Sequence, residues 1–261
     1  PNYGLTDEEL KIFWSRFGHI IDFYVAKEGE EGFLQLYDGL RELNFDIKRF
    51  KNCRSLIGNV HYFIDGEVVL GPELARIKLD QLPSPYLDGI MDKFFDDKLI
   101  PLIHTTRGCP FKCSFCTEGS VYYNKVEQRI DPLEKEMQYI SKRIKGPPDL
   151  FISDANFGMF KQDIKKAEII KQCQRDYGYP KYIHVSTGKN QKERVIEIVQ
   201  SLNGAISMAA SLQSTDPTVL ENIDRSNISA EKLMEVGKKA NTAEMGTYSE
   251  LILGLPGDTL D

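Results

Sequence analysis

One tryptophan and four histidines are all that 261 residues contain of these types, and cysteine is scarce at five. No apolar run approaches the ~20 residues that a helix needs to cross a bilayer, so no membrane-spanning helix is expected. Basic charge is not in excess. The 33 Lys and Arg stand against 39 Asp and Glu, a net charge of −6, which gives no support to a nucleic-acid partner. Internal repeats and low-complexity tracts are missing as well, so a repeat array is not expected. An odd number of cysteines, most of them in one place, does not make a disulfide framework and points to a reducing, cytoplasmic compartment. What is present, 41% hydrophobic content, is enough for one sizeable core and a smaller neighbour.

Three of the cysteines fall in a single loop, Cys109-Pro110-Phe111-Lys112-Cys113-Ser114-Phe115-Cys116, at the spacing C-x3-C-x2-C. Upstream, Leu102-Ile103-His104-Thr105-Thr106 reads as a short buried strand that Arg107-Gly108 breaks, so the thiols sit on the loop leaving a strand. Three thiolates on a short loop can converge on one soft metal centre. A structural zinc ion would want a fourth Cys or His, and the nearest are His104 upstream and Cys173 downstream. An open fourth position suits a cubane iron–sulfur cluster, in which three irons are held by cysteine and the fourth takes a reacting ligand. Packing as small buried hydrophobes is the alternative, and three thiols so close together, flanked by Gly and Pro, argue against it.

Taken in order, residues 1–50 read as a small α/β piece. Thr6-Asp7-Glu8-Glu9 is a capping box, residues 20–25 read as a strand, and a second helix follows with Phe33, Leu36, Tyr37, Leu40 and Leu43 on one stripe. Residues 51–98 read as a connector, with a hairpin turning at Asp65-Gly66 and a Pro-rich extended stretch after it. From residue 99 strands and helices alternate. Leu133, Met137, Ile140 and Ile144 form one apolar face, and Ile164, Ala167, Ile170, Cys173 and Tyr177 form another, which assigns Cys173 to the core. Strands are expected at 150–153, 182–186, 205–211 and 248–253, with a helix capped by Ser229 before the last. Repeated βα units with short buried strands predict a parallel sheet, open or curled into a barrel.

In such folds ligands bind at the carboxyl ends of the strands. Those ends carry Asp154-Ala155-Asn156, Ser186-Thr187-Gly188, Ser211-Leu212-Gln213 and Gly254-Leu255-Pro256-Gly257-Asp258. Turn chemistry alone puts some Asp, Asn, Ser and Gly there, but their recurrence beside a cysteine loop favours a polar cofactor pocket.

The cysteine loop, with Phe115 just before its last thiol, resembles the signature of radical S-adenosylmethionine (radical SAM) enzymes. The resemblance implies a partial (β/α)6 TIM-like barrel over 99–261, and a [4Fe-4S] cluster on Cys109, Cys113 and Cys116. It also implies S-adenosyl-L-methionine chelated at the free iron with Phe115 toward the adenine, and a 5′-deoxyadenosyl radical that abstracts hydrogen from an unknown substrate. Asp154 and Asn156 stand where the family receives the cofactor's amino group, with the usual Gly-Gly-Glu absent. Ser186, Ser211 and Gln213 fall at strand ends of the pocket, the latter two matching ribose-contacting positions, and Gly254, Pro256 and Asp258 resemble the motif beside the adenine. Arg225 matches a common downstream arginine, and a solvated helix end accounts for it equally well. An electron donor such as flavodoxin or ferredoxin is implied. Residues 1–50 are similar to the last part of a cobalamin-binding-type Rossmann-like domain, which makes cobalamin-assisted methyl transfer the leading version and leaves cobalamin itself open. The sixth strand of the family's barrel is expected to lie outside the chain. Two other functions remain open, a non-catalytic zinc-binding interaction module closed by His104, and a tRNA-modifying radical SAM methylthiotransferase.

Overall fold

Two compact units divide the structure, Pro1–Ile77 and Lys78–Asp261. The structure is a computed structural model, and it describes residues 7–96, 98–227, 237–238 and 247–259. The expected cap at Thr6 and the helix at Ser229 lie outside the described residues.

The first unit contains α1 (Asp7–Phe17), β1 (Tyr24–Val25), α2 (Gly29–Glu42), α3 (Ile47–Asn52), β2 (Val60–Ile64) and β3 (Glu67–Leu70). Asp65 and Gly66 have φ of 50° and 79°, the paired positive values of a tight hairpin turn whose twist matches its strands. β2 pairs antiparallel with β3 on one side and β1 on the other. Leu36, Phe50, Val60, Tyr62 and Val69 make one core, so the hairpin expected in a connector packs with the helices before it, and the unit runs to Ile77. Only Tyr24–Val25 of the expected strand over 20–25 is a strand. On α2, Leu36 is buried and Leu40 packs against the core, while Phe33 and Tyr37 are exposed. The stripe is narrower than its spacing suggested because a small sheet covers little of the helix.

The second unit runs β4 (Leu102–Ile103), β5 (Thr106–Arg107), β6 (Glu127–Gln128), α4 (Leu133–Arg143), β7 (Asp149–Phe157), α5 (Asp163–Tyr177), β8 (Tyr182–Thr187), α6 (Lys192–Ser201), β9 (Met208–Gln213), α7 (Pro217–Asn222) and β10 (Thr247–Leu251). β4, β7 and β8 pair in parallel. A parallel bridge between Ile183 and Ile206 leads on to β9, which pairs in parallel with β10. Neighbouring strands thus follow chain order with helices between them, the α/β succession expected; no closed barrel forms among the described residues. Leu133, Met137 and Ile140 of α4, Ile170 and Cys173 of α5, and Val195 and Val199 of α6 share a core with Leu150 and Ile152 of β7. Cys173 is therefore a core residue.

β7 continues past its expected end at Ser153 to Phe157. Side chains alternate along a strand, so Leu150, Ile152, Asp154 and Asn156 all lie on its buried face. This extension carries two polar residues into the protein beneath the cysteine loop.

Candidate cluster and cofactor site

The cysteine loop leaves β5 through Gly108, whose φ is 99° and where a Cβ would lie 2.5 Å from the Lys125 carbonyl oxygen. Only glycine fits that close approach. Beyond it, the Cys109 amide donates to Tyr123 O at 2.9 Å and the Ser114 amide to Ile223 O at 3.1 Å, which ties the loop to the end of α7. Cys109 and Cys113 are buried and Cys116 is half-buried. Donors meet the two buried sulfurs. Asn156 Nδ2 lies 3.3 Å from Cys109 Sγ, and Lys189 Nζ and Arg225 Nη1 lie 3.7 and 3.9 Å from Cys113 Sγ. Such cations and donors offset negative charge on metal-bound sulfur. Among the described residues no group of three or more His, Cys, Asp or Glu side chains is drawn together tightly enough to grip an ion. His104 Nε2 lies 2.9 Å from Thr106 O.

Asp154 clamps the approach to the cysteine loop. Its carboxylate accepts from the Thr105 and Thr106 amides at 2.8 and 2.9 Å and from the Thr105 hydroxyl. The Lys166 ammonium stands 3.7 Å away. Lys166 also donates to Thr106 Oγ1 at 2.6 Å and to Asp163 Oδ1 at 2.8 Å, and Asp163 accepts the Gly158 and Phe160 amides with its other oxygen. All three charged side chains have no solvent exposure. Buried charge is tolerated only when paired and hydrogen-bonded, and here the pairing locks the approach to Gly108 against the end of β7. The polar strand end was legible, but its direction was not, since the strand was expected to stop at Ser153, four residues before its end at Phe157.

Phe115, Ser186, Ser211 and Gln213 line one cleft, as expected of strand ends facing a common ligand, and Ala155 reaches it from β7. Gln213 is buried with φ 64° and its Oε1 has no hydrogen-bond partner. Asn156 Oδ1 is likewise buried without a partner. Two unsatisfied buried acceptors, one of them on a residue with positive φ, mark a place for a ligand's donors. The Ser211 hydroxyl donates to Glu250 of the neighbouring strand. Lys189, Lys192, Arg225 and Glu250 also line the cleft. Of these, Lys189, Lys192 and Glu250 were not singled out from sequence; Lys189 directly follows the strand-end triplet Ser186-Thr187-Gly188, and that adjacency was the available signal. Arg225 is buried at Cys113, which decides against a solvated helix end. Lys192 donates to Gly188 O at 2.8 Å, and burial, with Arg225's charge adding to it, lowers its pKa to about 8.

Gly254, Pro256 and Asp258 lie outside this cleft. The Gly254 amide donates to Asp258 Oδ2 at 2.9 Å, and Pro256 O accepts from Asn222 Nδ2 at 3.0 Å. Asp258 thus closes its own turn, and the turn packs on α7 through Leu255, Val219 and Ile223. His184 pairs with Asp149, the first residue of β7, at 2.6 Å, and Tyr182 is exposed. Glu118, whose carboxyl is pushed up by burial, borders a second hollow with them.

Residues 103–261 match the Radical SAM superfamily. The chain is 35% identical over 204 residues to the cobalamin-dependent radical SAM methyltransferase TokK of Streptomyces tokunonensis, across 74% of this chain and 30% of that protein. It is 37% identical over 255 residues to the 2-(S-pantetheinyl)-carbapenam-3-carboxylate methyltransferase of Streptantibioticus cattleyicolor, across 94% of this chain and 36% of that protein. Its fold is similar to that of TsrM from Kitasatospora setae, a radical S-adenosylmethionine methyltransferase, with a TM-score of 0.63 at 16% identity over 94% of this chain and 48% of that one. It is also similar to OxsB, a cobalamin-dependent S-adenosylmethionine radical enzyme, with a TM-score of 0.60 at 17% identity over 94% and 35%. The chain spans about a third of the length of those two curated relatives.

Proposed function

This chain belongs to the radical S-adenosylmethionine superfamily, whose cofactors are a [4Fe-4S] cluster and S-adenosyl-L-methionine, and from that premise we propose that it is the core of a cobalamin-assisted methyltransferase. Cys109, Cys113 and Cys116 hold the cluster, and the cleft beside them receives S-adenosylmethionine. The observation that carries this reading is the treatment of the two buried sulfurs, met by Asn156, Lys189 and Arg225 at the carboxyl end of parallel strands.

When bound, a four-iron cluster on these thiolates would supply one electron to the cofactor's sulfonium. The chain's own residues do the rest. Phe115 would offer a flat face to the adenine, and Gln213 Oε1 and the Glu250 carboxylate would accept from ribose hydroxyls. Ser186 and Ser211 line the same wall, and Asn156 Oδ1 would accept from the methionine amino group. Lys189 and Arg225 offset the charge that three thiolates bring.

Methyl transfer with cobalamin is supported by the two relatives above 30% identity, one named as a cobalamin-dependent radical SAM methyltransferase and the other as a methyltransferase. In this reading residues 99–261 are the radical core and residues 1–50 end a cobalamin-binding-type domain. A flavodoxin- or ferredoxin-type donor supplies electrons. A reducing, cytoplasmic compartment belongs to the same reading.

Anaerobic reconstitution tests the reading. About four irons and four sulfides should load per chain. Cys109→Ala, Cys113→Ala or Cys116→Ala should each abolish loading, while Cys53→Ala and Cys173→Ala should load normally. Equal loss with Cys173→Ala would show the ligand set to be wrong. Methyl transfer is then read as labelled methyl passing from S-adenosylmethionine to added cobalamin, with the chain in its natural full-length context; no transfer there removes the methyltransferase assignment.

A further inference from the structure

We infer that Lys189 and Arg225 set the reduction potential of the cluster by acting through the sulfur of Cys113. The inference rests on the reading that Cys109, Cys113 and Cys116 hold a four-iron cluster. Two cations reach one sulfur, Lys189 Nζ at 3.7 Å and Arg225 Nη1 at 3.9 Å. Cys109 instead meets a neutral donor, Asn156 Nδ2, at 3.3 Å.

Both cations are held by contacts other than the sulfur. Arg225 is buried, its Nε donates to Asn227 Oδ1 at 2.9 Å, and its remaining nitrogen donates to Ser211 O. Lys189 stands 5.1 Å over the centroid of Phe111, a residue of the cysteine loop itself. Two such anchors keep the charges in position whichever redox state the cluster holds. A third cation, Lys192, lines the same cleft. Burial, with Arg225's charge adding to it, lowers its pKa to about 8.

The consequence follows from charge. Reduction adds one negative charge to the cluster, and fixed positive charge beside a ligand sulfur stabilises the reduced form more than the oxidised one. Burial strengthens the effect, because little water screens it. Lys189 and Arg225 are thus positioning residues for charge, and they make the cluster easier to reduce than the three-cysteine loop alone.

The test is a redox titration of the reconstituted chain followed by the paramagnetic signal of the reduced cluster. Lys189→Met and Arg225→Met should each shift the midpoint to more negative potential by about tenfold in the reduction equilibrium, ~59 mV for one electron. Lys189→Arg and Arg225→Lys should stay close to the parent. Lys171→Met removes an exposed charge from α5 and should leave the midpoint unmoved. Arg225 is buried and its neutral variant can fail to fold, so the half-buried Lys189 carries the test by itself. The inference is overturned if Lys189→Met titrates with the parent or if Lys171→Met shifts as far. It is also overturned if Lys189→Met folds but takes up no cluster while Lys189→Arg does, because the cation then assembles the site instead of tuning it. Failure of the parent to load a four-iron cluster is a different result, and it removes the functional reading together with this one.

Discussion

Asn156 donates its side-chain amide to the sulfur of Cys109 across 3.3 Å, joining the end of β7 to a thiol 47 residues earlier in the chain. Two residues before it on the same face, Asp154 grips the Thr105 and Thr106 amides. One strand end therefore holds the cysteine loop at its approach and at its first sulfur, through two side chains that strand alternation aligns.

Replacing Asn156 with Ala should remove a hydrogen bond to a thiolate, ~1–2 kcal/mol. The loaded cluster should then surrender iron to a chelator about tenfold faster, followed as decay of its visible absorbance. Asn156→Asp should be worse, because it sets a carboxylate beside the sulfur. Release from Asn156→Ala at the parent's rate would mean that the bond does not steady the site.

Lys166→Met leaves the Asp154 and Asp163 carboxylates buried without their cation. Breaking a buried ion network at one partner costs about 3–5 kcal/mol. The midpoint of urea unfolding should fall accordingly in the cluster-free protein, and a loss below ~1 kcal/mol would contradict the burial described for these groups.

Gln213 and Gly254 both have positive φ, 64° and 75°, but only Gln213 lines the cleft. Gln213→Gly should relieve backbone strain and raise stability by ~1 kcal/mol, while weakening S-adenosylmethionine binding about tenfold through loss of the unpartnered Oε1. At Gly254 a Cβ meets nothing within 4 Å. Gly254→Ala should cost ~1–2 kcal/mol of stability in the left-handed region and leave cofactor affinity unchanged. A titration of the cofactor, read by the change in the reduced cluster's paramagnetic signal, separates the two; weaker binding in Gly254→Ala would return that turn to the binding site.

Lys192 titrates near 8 in the folded protein, below the 10.5 of an exposed lysine. Between these values the unfolded chain holds more protons than the folded one, so this group makes stability rise as pH increases through that window. Below about 8 its contribution is flat, with the burial penalty fully present. Urea midpoints across the window should therefore climb more in the parent than in Lys192→Met, by up to ~1.4 kcal/mol per pH unit. Parallel curves would show that Lys192 is not shifted.

Much of the scaffold was legible because its signals are local. Asp65-Gly66 specifies a hairpin by the φ values it permits, and the apolar spacing of α4 marks its buried face; on α5 it marks Ala167, Ile170 and Cys173, which is how Cys173 was recognised as core, while Ile164 and Tyr177 of the same expected stripe are exposed. The charged network was illegible for the same reason in reverse. Lys165-Lys166 reads as an ordinary solvated helix surface, and nothing in the neighbouring residues says that one ammonium is buried between two carboxylates. Phe33 and Tyr37 failed in the opposite sense, since apolar spacing does not reveal how wide a surface is available to cover.

By itself the sequence determined the thiol spacing, the parallel α/β succession and the polar character of the strand ends, all of which depend on residues within one element or one loop. Only the tertiary structure decided which groups meet the sulfurs. Asn156 lies 47 residues from Cys109, and Lys189 and Arg225 lie 76 and 112 residues from Cys113. A contact shorter than 4 Å across such separations depends on where the strands pair and where each one ends, and a one-residue slip in register turns every side chain of a strand to the other face.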